Sequence, residues 1–132
     1  MTGAKLADPS KFCLNCMGDL AFGHTGLDIE TAVRAEVPIT TVVINNYTMG
    51  GYDKSMPTAM ERYGAGNQTG EYAEVAKALG AESVKVEDPR GIAPALENAK
   101  RANDDGKVAM IEIITRQDTR FSWYNDLLTP NA

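Results

Sequence analysis

The sequence predicts an α/β fold in which a mostly parallel sheet lies between helices on both of its faces, giving three layers. Short apolar runs typical of strands alternate along the chain with segments of helical periodicity, and this alternation is typical of parallel sheets with right-handed crossovers. The run ITTVVI at 39–44 is rich in β-branched residues, as expected of a central strand buried on both faces. We expect a single domain over residues 1–132, with an irregular tail from 116 to 132.

The first half of the chain predicts strand, helix and strand, followed by a long connection. Residues 11–17 (KFCLNCM) form a short apolar run that indicates the first strand. The stretch TGLD resembles a capping box, so we expect the next helix to begin at Thr25 and to end before Pro38. After the strand at 39–44, a glycine-bearing connection extends from about residue 45 to residue 69.

The second half of the chain predicts helix, strand, helix and strand. Apolar side chains at helical spacing indicate helices over 72–79, closed by Gly80, and over 92–99. The alternating run AESVKVE at 81–87 indicates a half-exposed strand, and VAMIEIIT at 108–115 indicates the last one. The N-terminal stretch TGAKLADP is interpreted as the end of a longer helix, so the fold is expected to be incomplete at its N-terminus.

Composition and charge exclude several classes of partner. Hydrophobic residues make up 43% of the chain and charged residues 23%, as in an ordinary globular protein. The formal net charge of −5 argues against nucleic acid or an anionic membrane as a partner. No apolar run approaches the roughly 20 residues of a membrane span. The first residues lack the apolar segment of a signal peptide, so a cytoplasmic location is expected.

The two cysteines, Cys13 and Cys16, are spaced as C-x-x-C. A dithiol redox pair is one interpretation, whereas a zinc site lacks a second Cys/His pair. Positions three apart on a strand point to opposite faces, which favours two small apolar residues of a buried strand over a dithiol.

Polar residues follow two predicted strands where each strand ends. Asp19 comes after Gly18 at the end of the first strand, and Asn46 lies twenty-seven positions further on, after the second. Ligands of parallel sheets bind at the carboxyl ends of the strands. Carboxylate and amide oxygens suit Mg²⁺ or Ca²⁺, and Mg²⁺ completes its shell with waters and phosphate oxygens. With a helix N-terminus at Thr25 and the pair Gly50–Gly51 beside it, the pattern predicts a metal bridge to a diphosphate.

The stretch GDLAFGHTGLDIETAVRAEVPITTVVINN resembles the thiamine-diphosphate motif of the acetohydroxyacid (acetolactate) synthase and pyruvate oxidase group of enzymes. The resemblance continues through EYAEVAKALGAESVKVEDP and VAMIEIITRQD and covers the chain to about residue 118. AFGHTGLDIETAVR is similar to acetolactate-synthase-like members and to the oxalyl-CoA decarboxylase branch. The chain is therefore identified as a truncated C-terminal, thiamine-diphosphate-binding domain.

The resemblance implies thiamine diphosphate and Mg²⁺ as cofactors and assigns roles to particular residues. Mg²⁺ would be held by Asp19, the side chain of Asn46 and the backbone carbonyl of Thr48. Asn45 would secure the turn. The diphosphate would face backbone groups of Gly18, Leu20, Ala21, Met49 and Gly50.

Two positions depart from the family pattern. Leu20 stands where the family usually has glycine, serine or alanine, and its side chain either crowds the diphosphate or turns into the core. His24 stands where an apolar or amide residue is common, and it is either a proton donor in the reaction chamber or a solvated side chain. Residues that select the substrate are expected in the variable stretch after Asn46, with Tyr52, Asp53 and Lys54 as candidates.

The family's activating glutamate comes from a separate pyrimidine-binding domain, so the chain by itself is expected to be inactive. With such a domain or subunit, the resemblance implies decarboxylation of a small 2-oxo acid and transfer to an acceptor. Exposed apolar surface predicts a homo- or hetero-oligomer. The tail is expected to pack across the cleft, to pack on a partner or to be loosely ordered, through Phe121, Trp123, Tyr124, Leu127 and Leu128. The alternative is a catalytically silent Mg²⁺/phosphate-binding or assembly remnant of this fold.

Overall fold

The computed structural model describes residues 1–50 and 52–117. Its sheet contains four strands, which are β1 (Leu14–Gly18), β2 (Thr40–Asn45), β3 (Glu82–Val86) and β4 (Ala109–Ile114). They lie in the order β1-β2-β4-β3, and every neighbouring pair is parallel. The central position of β2 explains why its sequence is rich in β-branched residues, and five of its six residues are buried.

Helices connect the strands: β1 leads to its neighbour β2, β2 leads past the β4 position to the edge strand β3, and β3 leads back to its neighbour β4. They are α1 (Thr2–Ala7), α2 (Asp19–Thr25), α3 (Asp28–Arg34), α4 (Tyr52–Ser55), α5 (Pro57–Tyr63), α6 (Tyr72–Ala78) and α7 (Ile92–Asp104). The helix α6 ends at a left-handed glycine, Gly80 (φ 95°), as its sequence predicts. Within the described residues, no helix has the length and apolar character needed to cross a membrane.

The two faces of the sheet carry separate apolar cores. Neighbouring residues of β2 point to opposite sides, since Val43 belongs to the core under α2, α3 and α6 and Val42 to the core under α7. The first core includes Phe22, Ile29, Ala32, Tyr72, Ala76 and Met110, and the second includes Ala95, Ala99, Ala102 and Ile111. Helices on both faces of a parallel sheet confirm the predicted three-layer α/β class.

The predicted start of the first helix was wrong. Thr25 is the last residue of α2 and does not cap a helix, because its hydroxyl donates to the carbonyl of Ala21 (3.3 Å). The helical segment begins six residues earlier, at Asp19, and is divided into α2 and α3 at Gly26. A Cβ at Gly26 would lie 2.6 Å from the ring of Phe22, so the chain needs glycine where the two helices meet.

The long connection after β2 is also more ordered than its glycines indicate. It contains α4 and α5, and α5 begins with Pro57 at its first position and ends at left-handed Gly64 (φ 58°). Both signals are typical of helix ends. The prediction of one long loop overlooked them because neither helix buries enough apolar surface to show a clear periodicity.

The two cysteines occupy different environments. Cys13 lies in the core under α2, α3 and α6, whereas Cys16 on edge strand β1 is exposed. The expectation that both would be buried apolar residues was therefore wrong for Cys16. One sulfur in the core and one at the surface also disfavour a dithiol pair.

A buried amide joins α7 to the two central strands at the amino end of the sheet. Asn103 accepts a hydrogen bond from the hydroxyl of Thr40 (2.8 Å) and donates to the carbonyls of Ile39 (3.1 Å) and Lys107 (2.8 Å). Asn103 is 5% exposed and Thr40 is fully buried. The Ile39 carbonyl also accepts the N–H of Ala109 (2.9 Å), so the group that loses its partner when the amide is removed is the buried hydroxyl of Thr40. This makes Asn103 important for stability.

Replacing Asn103 by alanine is expected to lower the free energy of unfolding by about 1–3 kcal/mol, since it leaves the buried hydroxyl of Thr40 without its acceptor and removes two further hydrogen bonds. Urea unfolding measures the change. The control is Asn98→Ala, an exposed asparagine of the same helix, for which we expect a change within about 0.5 kcal/mol. Equal changes in the two variants would contradict the role given to Asn103.

A thiol reagent such as DTNB is expected to modify Cys16 quickly in the folded protein and Cys13 only after unfolding, because Cys16 is exposed and Cys13 is buried. The absorbance of the released thiolate counts reacted thiols with and without denaturant. Rapid reaction of both cysteines under native conditions would show that the core around Cys13 is open, contrary to this structure.

Candidate functional site at the carboxyl ends of the central strands

The ends of β1 and β2 lie side by side, as the sequence predicts. Gly18, the last residue of β1, pairs with Ile44, and the next residue in each strand begins a polar segment. Asp19 follows on one strand, and Asn45 with Asn46 follows on the other. A Cβ at Gly18 would meet no atom within 4 Å, so open space adjoins the end of β1. The structure thus brings the two predicted polar segments to the same edge of the sheet.

Asp19 is the first residue of α2 and is only 4% exposed. One carboxylate oxygen, Oδ1, accepts a hydrogen bond from the backbone N–H of Leu20 (2.8 Å). The other, Oδ2, is buried and has no hydrogen-bond partner among the described residues. A buried carboxylate oxygen without a donor is unfavourable unless a cation compensates it. The orphaned oxygen therefore fits a metal ligand.

The turn after β2 presents two further oxygens. Asn46 Oδ1 accepts a hydrogen bond from the N–H of Thr48 (3.1 Å), which leaves the second lone pair of that amide oxygen for a ligand. Tyr47 between them adopts a left-handed conformation (φ 57°), which is strained for a residue with a side chain. The strain indicates that the surroundings hold this turn in one shape.

The segment 66–68 holds the same turn from the other side. Met49 donates its N–H to the carbonyl of Gly66 (2.7 Å), and Gln68 donates its N–H to the carbonyl of Tyr47 (2.9 Å). These bonds flank an antiparallel bridge between Thr48 and Asn67. Because the bonds use the groups on either side of Thr48, the bridge does not occupy the Thr48 carbonyl.

Asn45 and Glu112 form a buried pair behind the turn. Both side chains are fully buried, and Asn45 Nδ2 donates to Glu112 Oε1 (2.7 Å). Asn45 Oδ1 accepts from the N–H of Tyr47 (2.9 Å), as expected of a residue that secures the turn. Glu112 Oε2 accepts from the N–H of Ala73 in α6 (2.8 Å). The amide therefore joins the turn to β4 and α6.

Tyr72 lies close enough to both buried acids for their charges to act on its phenol. Its ring packs edge-to-face on Phe22, with centroids 5.2 Å apart. Burial raises the pKa of the Tyr72 phenol, and the negative charges of Asp19 and Glu112 raise it further. The phenol thus senses the negative charges of both acids.

Lys85 supplies positive charge at the far side of the turn. It stands opposite Glu112 in the register of β3 and β4, and its ammonium donates to Glu71 (2.9 Å). The hydrogen bond to Glu71 raises the pKa of Lys85, and a hydrogen bond with the Tyr47 side chain adds to the rise. The ion pair of Lys85 and Glu71 therefore lies near the Tyr47 side chain.

Glu112, Tyr72 and Lys85 were absent from the residues predicted for the site. A signal for Glu112 was present, because it is the only charged residue in the run VAMIEIIT. A charge in the middle of a central apolar strand requires buried partners and so points to a special environment. Tyr72 and Lys85 follow ordinary helix and strand patterns and carried no comparable signal.

Leu20 and His24 both lie on α2. Leu20 is 36% exposed and belongs to neither apolar core. His24 is exposed in the last turn of α2, about 7 Å along the helix axis from Asp19, as expected of a solvated side chain.

Other predicted residues lie nearby or outside the described part. Ala21 is exposed in α2, and Met49 and Gly50 follow Thr48 in the turn. Tyr52 and Lys54 belong to α4. Outside the described residues lie Gly51, the side chain of Asp53, and the tail residues Phe121, Trp123, Tyr124, Leu127 and Leu128.

The available donors are hard oxygens. Among the described residues, no group of three or more His, Cys, Asp and Glu side chains is placed to hold a metal ion. The site instead offers one carboxylate, one side-chain amide and one main-chain carbonyl. Such a set fits Mg²⁺, which takes few protein oxygens and fills its shell with waters and phosphate oxygens. It does not fit the nitrogen and sulfur preferences of zinc or copper.

Comparison with known proteins identifies the family. Residues 1–113 match the model described as thiamine pyrophosphate enzyme, C-terminal TPP binding domain. Sulfoacetaldehyde acetyltransferase of Alcaligenes xylosoxydans xylosoxydans is 33% identical over 130 residues, which are 96% of this chain and 22% of that protein. The acetolactate synthase large subunit of Mycobacterium tuberculosis is 36% identical over 115 residues, 85% of this chain and 20% of that subunit. The chain thus spans about a fifth of the length of these relatives.

A solved structure has the same fold. The thiamine diphosphate-dependent 4-hydroxybenzoylformate decarboxylase of Rhodococcus jostii superposes with a TM-score of 0.75 at 24% identity, covering 90% of this chain and 22% of that one. At this identity the likeness shows the fold alone. With the family match over residues 1–113, it leads to one conclusion. The chain belongs to the family of C-terminal, thiamine pyrophosphate-binding domains of thiamine pyrophosphate enzymes.

Proposed function

We propose that this chain is the magnesium- and diphosphate-binding half of a thiamine-diphosphate enzyme that decarboxylates a 2-oxo acid and transfers the product to an acceptor. Asp19, Asn46 and the carbonyl of Thr48 would hold Mg²⁺, and through it the diphosphate of the cofactor. The observation that carries the proposal is the buried, unpartnered Oδ2 of Asp19 at the end of a parallel strand. The bound cofactor supplies an electron sink for cleaving the bond next to a carbonyl group.

The chain's own residues bind and orient the cofactor. Asp19 provides the formal charge for the metal, and its Oδ1 is already fixed by the N–H of Leu20, so the carboxylate is oriented before the metal arrives. Asn46 and Thr48 are held on one turn by their mutual hydrogen bond. A prearranged set of ligands avoids the entropic cost of ordering them at binding.

The proton chemistry of the cofactor is assigned to a second domain or subunit. In the proposed enzyme, a pyrimidine-binding partner supplies the activating glutamate. Glu30 is an unsuitable substitute, because it is paired with Arg34 (3.0 Å) on the exposed side of α3. Association with a further domain or subunit is supported by two apolar residues on the α7 side of the sheet that α7 leaves exposed. They are Ile44 (36%) and Val84 (42%). The chain by itself is therefore proposed to be inactive.

A second candidate is a silent remnant that binds Mg²⁺ and phosphate or serves assembly. The exposed side chain of Leu20 favours it, since a bulky residue in the first turn of α2 stands beside the space into which the diphosphate would enter. The acetolactate synthase and acetyltransferase relatives favour the first candidate.

Calorimetric titration of thiamine diphosphate into the chain is expected to show binding only with Mg²⁺. Asp19→Ala should weaken this binding by about 30-fold or more, because losing one partner of a buried charge pair costs about 2 kcal/mol or more. The matched control is Asp28→Ala, which removes the same charge from an exposed position in the first turn of α3. Binding that is independent of Mg²⁺, or equally weakened in both variants, would argue against the metal site.

Pyruvate incubated with the chain, thiamine diphosphate and Mg²⁺ is expected to be decarboxylated no faster than with free cofactor. The reason is that the activating glutamate is assigned to the pyrimidine-binding partner, which the mixture does not contain. Carbon dioxide release in a coupled assay measures the rate. Turnover clearly above the free-cofactor background would overturn the proposed division of labour. Inactivity accompanied by Mg²⁺-dependent binding separates the first candidate from a remnant that has lost the cofactor.

A further inference from the structure

A continuous series of hydrogen bonds leads from the middle of β4 to the metal-binding turn. The N–H of Ala73 donates to Glu112 Oε2 (2.8 Å), and Asn45 Nδ2 donates to Glu112 Oε1 (2.7 Å). On its other side, Asn45 accepts the N–H of Tyr47 (2.9 Å). We propose that Glu112 is a positioning residue for Mg²⁺, which sets the turn bearing Asn46 and Thr48 through the amide of Asn45. The inference rests on the function proposed above.

Glu112 determines which end of the Asn45 side-chain amide faces the turn. The two ends of the Asn45 side chain are nearly equal in size, but one only donates and the other only accepts. Because a carboxylate oxygen accepts, the donor end of Asn45 must face Glu112, and the acceptor end then faces Tyr47. Reversing the amide would set oxygen against oxygen and leave the N–H of Tyr47 facing a second donor.

The backbone of Tyr47 gives this orientation a consequence at the metal site. Its left-handed conformation (φ 57°) is unfavourable for a residue with a side chain, so the turn needs an interaction that favours it. The acceptor of Asn45 provides that interaction. Asn46 and Thr48, the residues on either side of Tyr47, carry two of the three proposed metal ligands. Their placement therefore depends on Asn45, and the orientation of Asn45 depends on Glu112.

Because of burial, each hydrogen bond of the series depends on its protein partner. Glu112 and Asn45 are both fully buried, so water cannot replace either partner. Each oxygen of Glu112 already has one N–H donor, one from β2 and one from α6. Glutamine at position 112 has the same shape but only one acceptor atom, so one donor would lose its partner and face an NH₂ group.

The test is Mg²⁺ titrated calorimetrically at a fixed excess of thiamine diphosphate, with amide hydrogen exchange of Tyr47 measured in the metal-free chain. Glu112→Gln is expected to weaken Mg²⁺ binding by about 10- to 100-fold, the usual effect of changing a group that orients a metal ligand. It is also expected to speed the exchange of the Tyr47 amide, because the bond to Asn45 is no longer held in place.

A double variant provides the sharpest control. In Asn45→Asp/Glu112→Gln the net charge is unchanged, and every hydrogen bond of the series can form again. The new glutamine donates to the new aspartate and accepts from Ala73, while the aspartate still accepts from Tyr47. Mg²⁺ affinity and slow exchange at Tyr47 are therefore expected to recover, whereas Asn45→Asp alone sets two carboxylates against each other and is expected to bind worse than wild type.

Asn103→Ala distinguishes a specific effect on Mg²⁺ binding from a general loss of stability. It removes a buried amide at the opposite end of the sheet. Compared at similar stability, this variant should bind Mg²⁺ like the wild type. The inference is overturned if Glu112→Gln binds Mg²⁺ as tightly as the wild type, or if the double variant folds but remains as weak as the single one. If Glu112→Gln does not fold, recovery of binding in a folded double variant supports the inference.

The two proposals fail in different ways. If the wild type binds no Mg²⁺ with thiamine diphosphate, the proposed function is contradicted. The exchange of Tyr47 needs no cofactor, and it then decides whether Glu112 holds the turn: faster exchange in Glu112→Gln supports the link, and unchanged exchange overturns it.

Discussion

The hydrogen bond between Asn45 and Glu112 is the interaction on which the rest of the site depends. It joins the carboxyl end of β2 to the middle of β4 with both side chains fully buried. The register of these strands places Glu112 opposite Val43, two residues before Asn45 on the same face, so Asn45 reaches Glu112 diagonally. From this fixed point the turn at Asn46 and the start of α6 take their positions.

Charge is distributed unevenly around that point. Asp19 and Glu112 are both buried, and each contributes to raising the pKa of Tyr72. Two buried acids on one side of a sheet repel each other and lose hydration. Glu112 is compensated by two N–H donors, whereas one oxygen of Asp19 has no partner. This difference supports the separate roles proposed for the two acids: Glu112 orients the turn through Asn45, and Asp19 is the proposed cation ligand.

The sequence predicted the layers of the fold and the meeting of two polar segments at one edge of the sheet, whereas several local details differ. The order of strands and helices follows from periodicity, and Asp19 and Asn46 follow from polar residues at strand ends. The prediction failed where tertiary contacts override local signals: Thr25 resembles a helix cap but ends α2, because the helix already begins at Asp19. Cys16 belongs to an apolar run yet is exposed, because β1 lies at the edge of the sheet. Glu112 was predicted only as part of a strand, because its partners at positions 45 and 73 are distant in sequence.

The central claim is that Asp19, Asn46 and Thr48 form one metal site at the carboxyl edge of the sheet. A crystal structure of the chain with thiamine diphosphate and Mn²⁺ in place of Mg²⁺ tests it directly, because anomalous scattering locates the ion. The account predicts the ion within about 2.2 Å of Asp19 Oδ2, Asn46 Oδ1 and the Thr48 carbonyl oxygen. An ion bound elsewhere, or at this edge with Asp19 Oδ2 still unligated, would contradict it.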